Sequence, residues 1–148
     1  MKIGMVGLGK MGANMTRRLL RGGHRVVVSD LNDQAVAHAT QEGAIGATDL
    51  EELIDQLERP RVVWVMVPSG DPTETTLLRL ADMLDPDDIV IDGGNSNYRD
   101  SMRRAALFQA QGIAFVDVGT SGGIWGVSEG YSMMVGGEAA PVETLRPI

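Results

Sequence analysis

The sequence predicts a doubly wound α/β fold in which a mainly parallel sheet lies between two layers of helices. Short apolar runs alternate along the whole chain with segments whose apolar residues recur at helical spacing. The run at residues 61–67 is apolar almost throughout, as is typical of a strand covered on both faces in a parallel sheet. Right-handed crossovers between such strands bury both faces of the sheet. We therefore expect one three-layer α/β/α domain over residues 1–148.

Local signals divide the first half of the chain into three strands and three helices. Met11, Met15 and Leu19 share one face of the first helix, and the glycines at residues 22–23 form its C-cap. Thr48 and Glu51 have the spacing of a capping box that opens the third helix. The predicted bounds are strands at residues 2–6, 25–30 and 61–67, and helices after Gly12, at residues 32–42 and at residues 48–57.

The second half continues the same alternation. Asp71 is predicted to be a helix N-cap, with Pro72 at the first helical position and Glu74 at the third. Further strands are predicted at residues 88–91, 113–118 and 131–135, and further helices at residues 71–83, 97–109 and 138–145.

The helix predicted at residues 97–109 is amphipathic. Its apolar side is expected to contain Met102, Ala105, Ala106 and Phe108. Three arginines are expected to lie mostly outward, namely Arg99, Arg103 and Arg104. We favour a solvated helix face for them over a phosphate clamp.

Composition limits the classes of function. A formal net charge of -7 argues against nucleic acid or an anionic membrane as the main partner. The absence of cysteine excludes disulfides, thiolate catalysis and thiolate metal sites, and it suits a reducing cytoplasm. The histidines, His24 and His38, are interpreted as turn residues, so no metal site is expected. We also expect no signal peptide and no membrane span.

Three spaced glycines follow the first strand directly. Gly7 permits a tight turn, Gly9 leaves room for a pyrophosphate, and Gly12 lets the following helix pack close to the strand. The unpaired N–H groups of that helix and the positive end of its dipole would then face the phosphates. The alternative is a glycine turn with no ligand. The context favours a Rossmann-type dinucleotide site.

The end of the second strand supports a dinucleotide site over a glycine turn without a ligand. This strand ends at Asp30, eighteen residues after Gly12, where a dinucleotide fold places the carboxylate that binds a ribose. A carboxylate accepts hydrogen bonds from the ribose hydroxyls of NAD and repels the 2′-phosphate of NADP. Leu31 provides no positive charge, so NAD is the expected cofactor and NADP is disfavoured.

Two further glycine-rich stretches follow strands in the second half. Residues 92–96 and residues 119–126 are expected at the carboxyl edge of the sheet, where α/β folds bind ligands. Asn95 and Ser121 offer an amide and a hydroxyl for a carboxylate or a sugar, and Gly122 and Gly123 let backbone N–H groups approach. The alternative is that both stretches are only tight turns.

Four stretches resemble the decarboxylating 6-phosphogluconate dehydrogenases. They are residues 7–15 (GLGKMGANM), 65–70 (VMVPSG), 92–100 (DGGNSNYRD), and 115–126 (FVDVGTSGGIWG) with 130–137 (GYSMMVGG). The first two are shared with the wider β-hydroxyacid dehydrogenases. Residues 92–96 distinguish the 6-phosphogluconate dehydrogenases from the hydroxyisobutyrate-type relatives, because those relatives usually carry an acid, one residue and then Ser-Thr at this place. Asp117 and Trp125 in the last stretch resemble the shorter form of the family.

This resemblance implies oxidation of 6-phosphogluconate, loss of CO2, and formation of ribulose 5-phosphate with reduction of NAD. The cofactor-binding residues that it implies are Gly7, Leu8, Gly9, Lys10, Met11, Gly12, Asp30, Leu31, Asn32, Val67, Pro68 and Asn95. The substrate-binding residues that it implies are Asn95, Ser121, Gly122 and Gly123.

The family's general base, a lysine, and its acid, a glutamate, have no counterpart in this chain. Lys2 lies in a predicted strand and Lys10 in the glycine turn, so we expect no catalytic residue within residues 1–148. The resemblance places both groups in a following helical domain, and we expect the longer parent protein to be a homo-oligomer. Alternatives are another β-hydroxyacid dehydrogenase, a stand-alone dinucleotide sensor, or an interaction module.

Overall fold

The computed structural model describes residues 1–148 apart from the side chain of residue 124. It contains a seven-stranded sheet in the order β3-β2-β1-β4-β5-β6-β7, and only β7 runs antiparallel to its neighbour. The predicted α/β fold with a mainly parallel sheet is confirmed. The strands are β1 (Lys2–Val6), β2 (Arg25–Ser29), β3 (Ile45–Gly46), β4 (Val62–Val65), β5 (Ile89–Asp92), β6 (Ala114–Ser121) and β7 (Ser132–Gly136).

Helices connect the strands and cover the sheet. They are α1 (Lys10–Arg21), α2 (Asp33–Gln41), α3 (Leu50–Asp55), α4 (Asp71–Ala81), α5 (Tyr98–Ala110), α6 (Gly126–Glu129) and α7 (Ala139–Thr144), with a 3-10 turn at Gly123–Trp125. The apolar residues of α3, α4 and α5 pack on one face of the sheet, and those of α1 and α2 pack on the other. This arrangement gives the three layers that alternating strands and helices predicted.

Strand β4 shows why the central strands read as continuous apolar runs. Val63 and Val65 belong to the core under α3 and α4, whereas Val62 and Trp64 belong to the core under α1. All four are at most 3% exposed. Both faces of this strand are therefore buried, as a central parallel strand requires.

Two predicted helix caps were wrong by one residue. The side chain of Asp49 caps α3 by accepting from the Glu52 N–H at 2.8 Å, while Thr48 donates both its N–H and its hydroxyl to the Glu52 carboxylate. Helix α4 is capped by Gly70 at a φ of 92°, so Asp71 is its first residue. Asp49 thus satisfies a first-turn N–H of α3 with its side chain, whereas the N-cap of α4 has no capping side chain. Local spacing alone does not distinguish the two neighbouring positions in either case.

Two other differences bear on the site. Strand β6 continues to Ser121, three residues past the predicted end, because antiparallel pairing with β7 extends to the Ser121–Ser132 pair. The buried stripe of α5 is formed by Ser101, Arg104 and Phe108. Met102 and Ala106, predicted to be inward, are exposed.

Candidate functional site

The carboxyl ends of β1, β4, β5 and β6 meet at one edge of the sheet, and the glycine turn at residues 7–12 lies at this edge. Gly7 has a φ of +96°, and its N–H donates to the Ser29 carbonyl at 2.9 Å. A Cβ on Gly7 would lie 2.5 Å from the carbonyl oxygen of Met66. Glycine is thus required here both for the turn and for close approach to the end of β4.

The other two glycines of the turn have opposite surroundings. A Cβ on Gly12 would collide with the Gly7 carbonyl, so this glycine is needed for close packing of α1 against the turn. A Cβ on Gly9 would meet none of the described atoms within 4 Å, those of its two chain neighbours aside. Gly9 is also the N-cap of α1 and has no capping side chain. The free N–H groups of the first turn of α1 therefore face open space, as an anion site requires.

The remaining residues of the turn differ in their roles. Lys10 is exposed at the start of α1, and Met11 is half-buried. The side chain of Leu8 lies in the core, and its N–H donates to Asp30 Oδ2 at 2.5 Å. Since that N–H is occupied, Leu8 offers no backbone donor to a phosphate.

Asp30 connects the turn to the end of β2. Its Oδ2 accepts from Leu8, and its Oδ1 accepts from the Asn32 N–H at 2.8 Å. Asn32 caps α2 by accepting from the Gln34 N–H at 3.0 Å, whereas Leu31 is fully exposed. The carboxylate is thus held beside the glycine turn, and each of its oxygens retains a lone pair for a ribose hydroxyl.

The next two predicted residues lie between the glycine turn and the loop that follows β5. Val67 packs partly against the core, close to Gly7. The Pro68 carbonyl accepts from the Thr73 hydroxyl at 2.9 Å, which fixes the entry to α4. Val67 is half-buried and Pro68 is exposed, so both lie at the surface of this edge.

The loop at residues 93–97 carries Asn95 in the left-handed region, at a φ of +54°. The Asn95 Oδ1 accepts from the Thr120 N–H at 2.9 Å, and its Nδ2 donates to the Thr120 carbonyl at 3.4 Å. The side-chain amide therefore joins this loop to β6. One Nδ2 hydrogen and one lone pair of Oδ1 stay available for a ligand.

The glycines after β5 and after β6 have different structural roles. A Cβ on Gly93 would collide with the Trp64 indole, and a Cβ on Gly94 would lie 3.0 Å from the Thr73 hydroxyl. Gly93 is therefore needed for packing, whereas a side chain at Gly94 would be tightly confined. Gly123, with a φ of +47°, has no described atom within 4 Å of its Cβ position, its two chain neighbours aside. Within residues 119–126 it corresponds to Gly9 of the glycine turn, because both leave open space.

Ser121 and the two glycines after it form the corner where β6 turns back toward α1. Ser121 is exposed at the last position of β6, and Gly122 follows at a φ of +141°. The segment that follows packs on α1, where an Arg18 Nη1 donates to the Val127 carbonyl at 3.4 Å. This packing brings residues 119–126 to α1, the helix that begins in the glycine turn.

The arginine prediction for α5 was wrong for Arg104, which is 4% exposed. Arg104 forms ion pairs with Asp92 at 2.9 Å and Glu74 at 2.8 Å. Arg103 stays on the surface and also pairs with Glu74, at 2.8 Å. A helical stripe drawn through Ser101 and Phe108 would have placed Arg104 inward, and this signal was missed.

Two carboxyl groups near these contacts have shifted pKa values. Hydrogen bonds from Arg103 and Arg104 lower the pKa of Glu74 to about 2. Burial raises the pKa of Asp117 above its usual value, and the neighbouring Asp92 carboxylate adds to this effect while Arg104 opposes it. Asp92 and Asp117 are paired positions on β5 and β6, so two acids lie side by side beneath the edge.

Among the described side chains, no group of three or more His, Asp or Glu residues could hold a metal ion. Over the described residues, no helix is both long enough and apolar enough to span a membrane.

A family profile described as the NAD binding domain of 6-phosphogluconate dehydrogenase matches residues 2–148. The chain belongs to this family. The NAD(+)-dependent, decarboxylating 6-phosphogluconate dehydrogenase of Haloferax volcanii is 44% identical over 148 residues, which are all of this chain and 48% of that protein. The chain spans about half the length of the first curated relatives that it matches.

Solved structures with the same fold include two kinds of dehydrogenase. Plasmodium falciparum 6-phosphogluconate dehydrogenase, studied with NADP+ and with 6-phosphogluconate, matches with a TM-score of 0.89 and 28% identity over 99% of this chain and 32% of that chain. Mycobacterium tuberculosis 3-hydroxyisobutyrate dehydrogenase also gives a TM-score of 0.89 and 28% identity, over 99% of this chain and 50% of that chain. The 6-phosphogluconate dehydrogenase NAD-binding domain thus shares its fold with hydroxyacid dehydrogenases.

Proposed function

We propose that this chain is the cofactor-binding part of a decarboxylating 6-phosphogluconate dehydrogenase of the cytoplasm that uses NAD. The observation that carries the proposal is the open space at Gly9, at an uncapped helix N-terminus and beside a fixed Asp30 carboxylate. A dinucleotide has a pyrophosphate and a ribose diol with the matching chemistry. The motif at residues 92–96 supports the sugar acid as substrate over 3-hydroxyisobutyrate.

Each part of the cofactor has a group to hold it. The N–H groups at the start of α1 bind the pyrophosphate, and Asp30 accepts from the adenosine ribose hydroxyls. Val67 and Pro68 border the path toward Asn95, which faces the nicotinamide end. Bound NAD supplies the hydride acceptor for the oxidation.

The substrate would lie between the two stretches that β5 and β6 carry to the edge. Asn95 and Ser121 offer an amide and a hydroxyl to its carboxylate and hydroxyls, and the open Cα of Gly123 lets backbone N–H groups approach. These groups orient the sugar acid, and none of them has the chemistry of a general base at neutral pH.

We propose that the general base and the general acid lie in the half of the relatives' sequences that this chain does not span. Neither lysine of this chain is suited to act as the general base, because Lys2 is in β1 and Lys10 is exposed at the phosphate end of the site. The same half would form the contacts between the subunits of a homo-oligomer. The 148-residue chain is therefore expected to bind NAD without oxidising 6-phosphogluconate.

The test is NADH absorbance at saturating NAD and 6-phosphogluconate, with the Haloferax volcanii enzyme as positive control. Loss of a positioned base alone lowers a rate by about a hundred- to ten-thousandfold, so turnover should be at least about a hundredfold below that of the control. Turnover near that of the control would contradict the proposal and would make Lys10→Met the first variant to assay. Turnover of 3-hydroxyisobutyrate would favour the other dehydrogenase class.

A further inference from the structure

Arg104 lies beneath the site and contacts three separate parts of the fold. Its Nε donates to Glu74 on α4 at 2.8 Å, and its Nη1 donates to Asp92 and to the Ser96 hydroxyl, each at 2.9 Å. The guanidinium is therefore enclosed by α4, the end of β5 and the loop at residues 93–97. A planar guanidinium can hold acceptors in such fixed directions, whereas the single ammonium of a lysine cannot.

The Asp92 carboxylate sets the path of that loop. It is fully buried, and it accepts from the Gly94 N–H at 3.0 Å and from the Ser96 hydroxyl at 2.7 Å. Arg104 neutralises it at 2.9 Å. A buried carboxylate without this partner would be strongly disfavoured, so the loop contacts depend on the arginine.

Asn95 stands between the two loop residues that Asp92 holds. Gly94 and Ser96 are both bonded to Asp92, and Asn95 between them has a φ of +54°. This conformation directs its side chain to both backbone groups of Thr120. Ser121 is the next residue, so one chain of contacts runs from Arg104 to both stretches that face the substrate.

We propose that Arg104 is a positioning residue that holds Asn95 and Ser121 in register through Asp92 and Ser96. It touches neither cofactor nor substrate in this role. The proposal rests on the proposed function, which assigns Asn95 to the nicotinamide end and Ser121 to the substrate. The distant adenosine end, at Gly9 and Asp30, does not depend on Arg104.

Arg103 provides a matched control. It precedes Arg104 on the same helix and donates to the same Glu74 carboxylate from both Nη atoms at 2.8 Å. Its side chain is 53% exposed, and its ion pairs are with Glu74 and Asp100. Arg103→Lys therefore makes the same chemical change without disturbing Asp92 or Ser96.

The experiment compares Arg104→Lys, Ser96→Ala and Arg103→Lys with the unchanged chain. Hydrogen exchange of the Thr120 and Met5 amides is followed by NMR, and NAD and ADP affinities are measured by calorimetry. In Arg104→Lys and Ser96→Ala, exchange at Thr120 should rise about tenfold or more with Met5 unchanged, since local opening alone is affected. NAD affinity should fall about fivefold or more with ADP affinity within about twofold. Arg103→Lys should change none of these.

Unchanged hydrogen exchange at the Thr120 amide in both Arg104→Lys and Ser96→Ala overturns the proposal. Equal loss of NAD and ADP affinity also overturns it, because a merely structural arginine would weaken both. Ser96→Ala removes only a hydroxyl and keeps the ion pair, so it decides the question if Arg104→Lys does not fold. Failure of the unchanged chain to bind NAD would count against the proposed function. Hydrogen exchange at Thr120 would still show whether Arg104 holds Asn95 in place.

Discussion

Gly9→Val is expected to lower NAD affinity about a hundredfold or more while the chain stays folded. The Cβ position on Gly9 is open, and its φ of -58° suits any residue, so the fold tolerates the change. The branched side chain would then occupy the space assigned to the pyrophosphate. Calorimetric titration with NAD measures the loss, and thermal unfolding checks that the fold is retained.

Gly12→Val is the matched comparison, because it adds the same atoms three residues away in a packed position. Its Cβ collides with the Gly7 carbonyl, so the free energy of unfolding should fall by about 2–4 kcal/mol. The two glycines thus separate binding from folding. A folded Gly9→Val variant that binds NAD as tightly as the unchanged chain would show that this turn is structural only.

The chain is expected to bind NAD at least about tenfold more tightly than NADP, which corresponds to about 1.4 kcal/mol. Asp30 lies beside the glycine turn, and the fully exposed Leu31 offers a 2′-phosphate no positive charge. The double variant Asp30→Asn with Leu31→Arg should reverse the preference, since it removes a repulsion and adds a charge-assisted contact. Titration of both cofactors with both proteins measures the change.

Asp33→Asn serves as the control for net charge. Asp33 is exposed in the first turn of α2, three residues beyond Asp30, and it lies outside the proposed ribose contact. Its removal should leave the ratio of NAD to NADP affinity within about twofold. Equal or tighter binding of NADP by the unchanged chain would refute the assignment of Asp30.

The sequence was informative where a local conformation needs one residue type. Gly7 was predicted to permit the turn and Gly12 to let the helix pack close to the strand. The structure shows a positive φ at Gly7, and a Cβ on Gly12 would collide with the Gly7 carbonyl. The buried strand around Trp64 was predicted from its unbroken apolar run, although β4 ends two residues earlier than expected. These features depend on backbone sterics and burial, which short stretches of sequence determine.

Contacts between distant parts of the chain were the ones missed. The burial of Arg104 depends on Asp92, twelve residues away, and on Glu74, thirty residues away. The extension of β6 depends on pairing with β7. The partners of Arg104 and of β6 are not visible in their own segments. The bond from Leu8 to Asp30 was missed for the same reason. The helical stripe through Ser101 and Phe108 was the one local sign that Arg104 is buried.

The most direct test of NAD binding at the glycine turn is an NMR titration of the 15.8 kDa chain, followed through its backbone amides. NAD should produce saturable shifts at Gly9, Lys10 and Met11 and at residues 30–32, where the pyrophosphate and the ribose are proposed to bind. The amide of Asp88, at the opposite edge of the sheet, should not move. Absence of saturable shifts at the glycine turn, or shifts centred on the opposite edge, would contradict the account.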